Sequence, residues 1–172
     1  GSNSRKRHPM TRDHAHDPRA IANKILDMRE ETGGSLTIMQ LIKLVYIADG
    51  WALALLGRPL AWENPEAWQY GPVFRSVYRA FAGNGARPVT SRVMVPGTNL
   101  PVTANFTADE EALIRQVVDS YGKLSAYALS NLTHQPGTPW QKAYERALYA
   151  DIDIDETKSH FESLKASRLA AA

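Results

Sequence analysis

The sequence predicts a mainly α-helical domain, α+β in class: several helices around one central buried helix, with a small antiparallel β-sheet or hairpin. Three observations carry this. The run Leu41–Leu56 is apolar on nearly every side, so it must be surrounded by protein. Capping signals stand ahead of apolar runs at Asp17-Pro18, Thr37, Thr107 and Ser125, where a side chain can satisfy free backbone N–H groups. Between Gly83 and Asn105 glycine and proline cluster instead, which argues against helix.

The elements follow in order. Asp17 as N-cap and Pro18 at the first helical position open a helix whose inner face carries Ile21, Ile25 and Met28, closed by Gly33-Gly34. Thr37 and Gln40 form a capping box for the central helix, which runs to Leu56 with Gly57 as its stop. A shorter helix is expected after Gly71-Pro72, bearing Val73, Val77, Tyr78 and Phe81. Val89, Val93 and Val95 then sit in an alternating stretch, Pro96-Gly97 suits a type II turn, and Leu100–Phe106 is the expected return strand. Short strands are also expected around Leu60–Trp62 and Ala67–Tyr70.

Helices resume with the Thr107/Glu110 capping box and the apolar positions Leu113, Ile114, Val117 and Val118, ending at Gly122. Ser125 caps a short helix with Tyr127, Leu129 and Leu132. Pro139 opens another, with Trp140, Ala143, Tyr144, Ala147 and Leu148 on its inner side. Asp155 is the expected cap of the last helix, whose core residues are Phe161 and Leu164. In domain terms, 1–9 reads as a leader left by tag cleavage, 10–17 as a flexible N-terminal segment, 18–165 as one domain, and 166–172 as a frayed tail.

Composition narrows the function. The formal charge is +2, but setting aside Arg5, Lys6 and Arg7 leaves 17 of the 20 basic residues against 18 acidic ones. No electrostatic footprint for nucleic acid remains. The chain has no cysteine, which excludes thiolate nucleophiles, thiolate metal sites and disulfides. The apolar run is interrupted by Lys43 and Asp49, and no signal-peptide core is visible, so a cytoplasmic, non-membrane protein is expected.

No constellation specifies a reaction. Asp13, His14, His16 and Asp17 include metal-ligand types, but they sit in the N-terminal segment with no fixed distal ligand. Ser125, Ser130 and His134 lack a glycine-bounded nucleophile elbow, and Ser125 is better explained as a cap. Asp151, Asp153 and Asp155 lack the glycine an EF-hand turn needs. Neither a metal nor a cofactor is assigned. The aromatic residues are the remaining signal: Trp51, Trp62, Trp68, Tyr70, Tyr78 and Trp140 exceed what a core of this size needs, and several fall in loops. Tryptophan and tyrosine dominate protein interface hot spots, so a protein partner is expected. Lys43 and Asp49, six apart, do not share a helix face and must each find a separate partner, such as Tyr46, Tyr70 or a backbone end.

The run from Leu41 to Trp51, then Gly57-Arg58-Pro59-Leu60, Glu66–Val73 and Val77-Tyr78, resembles the Panacea domain, the SocA-like antitoxin family also described as phage-associated GepA-like proteins. Tyr121-Gly122, Leu124–Ala126, Leu132–His134 and Pro139-Trp140 match its second half in order. The specific parts are Trp68–Pro72 and the Thr133-His134/Pro139-Trp140 pair. The resemblance implies a non-enzymatic antitoxin of a type II toxin–antitoxin system that binds its cognate protein toxin directly. Like the family's namesake, this chain carries the domain almost alone, which further implies a SocB-like toxin delivered to the ClpX ATPase and ClpP protease.

Some family members add a helix-turn-helix, for which no room is expected here. The competing readings are a DNA-binding transcriptional regulator and a small hydrolase or metal enzyme. The expected partner-binding residues are Lys43, Tyr46, Trp62, Trp68, Tyr70, Arg75, Tyr78 and Arg92, on a face built from the central helix, the Trp62–Pro72 loop and segment 89–106. An exposed strand edge of that segment could accept a strand from the partner. Asp49, Gly71, Pro72, His134, Pro139 and Trp140 are read as the structural motif.

Overall fold

A computed structural model describes residues 9–171 of the chain. The expected leader lies outside it except for Pro9. Seven α-helices run in order through the described residues: α1 (Pro18–Glu31), α2 (Ile38–Leu56), α3 (Arg75–Phe81), α4 (Ala108–Tyr121), α5 (Ala126–His134), α6 (Pro139–Arg146) and α7 (Ile154–Ala171). Between α2 and α3 lies an antiparallel hairpin of β1 (Glu66–Trp68) and β2 (Gly71–Val73).

Helix α2 is the hub, with α1, α4, α5 and α7 packed around it. Its capping box is complete: Thr37 accepts from the Gln40 amide, and the Gln40 side chain accepts from the Thr37 amide. Gly57 ends it in the left-handed conformation. It is the one described helix long and apolar enough to cross a membrane, and most of it is buried within the protein. Gly50 explains how α7 packs so closely on it. A Cβ there would lie 2.1 Å from the Phe161 ring, which makes edge contacts with Tyr46 and Trp51 at centroid distances of 6.2 and 5.2 Å.

Local signals place α1, α4 and α5 as expected. Asp17 accepts from the Arg19 amide, Thr107 and Glu110 form the second capping box, and Ser125 caps α5. Elsewhere the structure corrects the reading. Val73 belongs to β2, and α3 starts only at Arg75, with Phe74 buried at its N-cap. Helix α6 ends at Arg146, so Ala147 closes it and Leu148 is exposed. Asp153, not Asp155, receives the first-turn amide of α7, from Glu156 at 2.9 Å. The helical assignment of α7 runs on through 166–171.

Two expected strands are weaker than predicted. At Leu60–Trp62 there is one parallel bridge, Ala61 to His16, flanked by two 2.8 Å backbone bonds. Segment 89–106 forms a narrow loop with a single bridge, Met94 to Pro101. Its turn is as predicted: Gly97 has φ +76° and the Thr98 amide reaches the Val95 carbonyl at 3.0 Å. Pro88, Pro96 and Pro101 lack the N–H groups a longer ladder requires. A side chain substitutes for the ladder. Buried Asn23 donates to the carbonyls of Val93 and Val102 and accepts from the Val93 amide.

Residues 10–17, read from the sequence as flexible, are engaged with the body. Arg12 is buried and forks onto Asp49 with two 3.0 Å bonds, while also donating to the Ala61 carbonyl at 2.8 Å. Asp49 Oδ1 also accepts from the amides of Leu60 and Ala61, both at 3.0 Å. A charge in the middle of an apolar helix is thereby matched by a guanidinium and two N–H dipoles.

Candidate functional site

The β1–β2 hairpin is a small platform whose main chain is gripped from several sides. Ala67 O accepts from the Tyr149 amide at 2.9 Å, and Trp68 O from the Trp140 indole at 2.6 Å. Tyr70 O accepts from the Ser130 hydroxyl at 2.7 Å, and Pro72 O from Lys43 Nζ at 2.9 Å. Gly71 adopts φ +122°, and a Cβ there would lie 2.9 Å from Lys43 Nζ. Only glycine accommodates both the backbone and the amine.

On this platform the aromatic residues converge. Trp68 packs on Tyr78 at 4.8 Å and edge-on to Tyr149 at 5.3 Å. The Arg75 guanidinium lies over both Trp68 and Tyr149, at 5.2 and 5.4 Å. Glu66 fixes that guanidinium through bonds of 2.6 and 3.1 Å and accepts from the Trp68 indole at 3.0 Å. Burial works against the Glu66 charge, but Arg75 and Trp68 together hold its carboxyl below the usual range. Tyr70 and Tyr149 are 64% and 50% exposed, so the cluster presents aromatic surface from a fixed frame.

Each expected partner-binding residue can now be placed. Trp68, Arg75 and Tyr78 are brought together in this cluster, and Tyr70 tops the adjoining turn. Trp62 is 56% exposed but lies beside His16 on a separate stretch. Three others do not face outward freely. Lys43 is fully buried, and burial pulls its amine down to about 7. Tyr46 is buried against Phe161, and burial followed by the Asp49 charge pushes its phenol up. Arg92 is held on α1 by Asp27 and Glu30, both at 2.8 Å. The contacts of these three lie within the protein itself.

Of the structural motif residues, Gly71 and Pro72 lie in the hairpin, Trp140 bonds it, and Asp49 lies apart, bonded to Arg12 and the amides of Leu60 and Ala61. Trp140 stacks on Tyr144 at 4.7 Å and meets the His134 ring edge-on at 5.4 Å, while Pro139 starts α6. Tyr149 is a site residue that sequence reading missed. It follows α6 with φ +68°, and its position depends on residues 149–152 running beside the hairpin through bonds to Ala67 and Pro65. No local pattern signals that pairing.

Of the catalytic candidates, Ser130 and His134 do meet on α5, with Oγ and Nδ1 3.3 Å apart. However, the Ser130 hydroxyl donates to Tyr70 O, His134 Nδ1 lies against the Ser130 carbonyl, and Ser125 caps the helix. In the N-terminal histidine cluster, His16 turns to Glu110 at 2.9 Å, Asp17 to Arg19, and Asp13 to Thr11. Among the described residues no group of three or more His, Asp or Glu side chains is placed to hold a metal ion.

With a helical body, a gripped hairpin and an aromatic face in place, the chain's class is settled by comparison. It belongs to the antitoxin SocA-like, Panacea domain family, whose model matches residues 41–141. It is similar to Antitoxin SocA of Caulobacter vibrioides (strain NA1000 / CB15N), at 34% identity over 137 residues covering 77% of this chain and 73% of that one. No solved structure matches. The matched span contains all but the first turn of α2, the hairpin, α3, α4, α5 and the start of α6. Membership of an antitoxin family implies a cognate toxin as partner.

Proposed function

We propose that this protein neutralises its cognate toxin by direct contact, without catalysis, and that the toxin docks on the aromatic face of Trp68, Tyr78 and Tyr149 clamped by Arg75. The observation that carries this reading is the convergence of those rings on a hairpin whose carbonyls are held by four different groups. Rigid, half-exposed aromatic and arginine side chains lose little freedom on binding and are the residue types that dominate interface energetics. In this reading the partner is SocB-like, the protein acts in the cytoplasm, and the bound toxin is handed to ClpX and ClpP.

The test uses the cognate toxin. Trp68→Ala combined with Tyr78→Ala should weaken toxin capture by at least about 2 kcal/mol, roughly thirtyfold in Kd, with helical circular dichroism unchanged. Wild-type affinity in the double variant would remove the aromatic face from the interface. In a reconstituted degradation assay, catalytic amounts of an adaptor speed toxin loss by ClpXP and are themselves spared. Slower toxin loss would mean simple occlusion.

A further inference from the structure

A second feature lies about 12 Å beyond Lys43 along α2, where Trp51 meets α4 and α7. A slot of about 170 Å³ opens there between apolar walls that include Trp51, Leu113, Val117 and Tyr121. Its charged groups are all of one sign: beside the neutral Gln116 and Ser120, Lys165 and Arg168 line it, and no carboxylate does. Arg168 is held in place from below. Its guanidinium sits 4.9 Å from the Trp51 ring and 5.6 Å from the Tyr121 ring. It also donates to the Tyr121 hydroxyl, which accepts from the Trp51 indole at 3.1 Å as well.

That hydroxyl oxygen is thus occupied by two donors, while only one of the five guanidinium N–H groups is engaged among the described residues. Neither Arg168 nor Lys165 has a carboxylate in ion-pair range among them, and Glu162 on the same helix is taken by Lys158. Two cations at the mouth of an apolar slot complement an anion attached to an apolar body.

We propose that this slot binds a small hydrophobic carboxylate, its ring or chain of about six to eight carbons lying between Trp51, Leu113 and Val117, as expected for a cavity near the size that admits benzene. Its carboxylate is received by Arg168 and Lys165. The site is independent of the toxin-docking reading, since it shares no residue with the hairpin face.

Isothermal titration of the full chain with octanoate, 1-octanol and octylamine tests it. Octanoate should bind roughly tenfold more tightly than octanol, the usual value of one charge-assisted contact, and octylamine should give no signal. Arg168→Gln should remove the preference for octanoate while leaving octanol binding intact. Ser120→Trp, at an exposed lining position, should block both probes with the helical circular dichroism preserved. Equal binding of octanoate and octanol, an unaffected Arg168→Gln variant, or no octanoate binding in the millimolar range would each overturn the proposal.

Discussion

Replacing Lys43 with methionine should change how stability depends on pH. Lys43 is fully enclosed, its amine meets a carbonyl and no carboxylate, and burial lowers it from 10.5 to about 7. Between those values the unfolded chain holds a proton that the native protein does not. Stability must therefore rise with pH across that window, by about 1.4 kcal/mol per unit. Below about 7 the amine is charged in both states and the contribution stays level. Tyr46 has the opposite sign: its phenol is raised on folding, so it lowers stability above about pH 10.

Restricting the comparison to about pH 7–9.5 isolates the lysine, with an expected gain on the order of 3 kcal/mol for the wild type. Lys43→Met keeps the volume but leaves the Pro72 carbonyl without its donor, a cost of about 1–3 kcal/mol that does not vary with pH. Urea unfolding followed by circular dichroism at several pH values should show the two stability curves diverging, with the wild type gaining as pH rises. Parallel curves would refute the reasoning, because the amine would then titrate alike in both states.

Other substitutions probe the contacts that organise the fold. Arg12→Ala strands the buried Asp49 carboxylate and should cost about 3–5 kcal/mol in chemical denaturation, far more than loss of a surface pair. Gly50→Val drives a side chain into the Phe161 ring and should cost about 1–3 kcal/mol, read as a fall in thermal midpoint. Asn23→Ala removes three bonds to segment 93–102 and should abolish the slow hydrogen exchange of the Val93 amide while leaving α4 protected.

The parts of the fold legible in the sequence were those whose cause lies within a few residues. Thr37, Thr107 and Ser125 announce their helices because a cap acts on the amide three positions on, and Pro96-Gly97 carries its own turn geometry. Leu41–Leu56 reads as buried from its composition alone. What escaped depends on partners distant in the chain. Asp49 is satisfied by Arg12, in a segment that looked like a loose lead-in. Lys43 is a long cation with no acid nearby, so its burial under Pro72 could not be inferred from charge pairing. Within the candidate site, Trp68, Tyr70 and Tyr78 were visible as aromatics near a turn. Tyr149 was not, because it reaches them only after the chain returns alongside the hairpin.

The hairpin's fastenings reach backbone oxygens and leave the outward side chains alone. Lysine, serine, an indole and a tyrosine amide would grip the same four carbonyls whatever residues were displayed at positions 68, 70 and 78. Such a mount separates shape from message: the exposed letters can be rewritten to suit a new adversary while the frame beneath them stays the same.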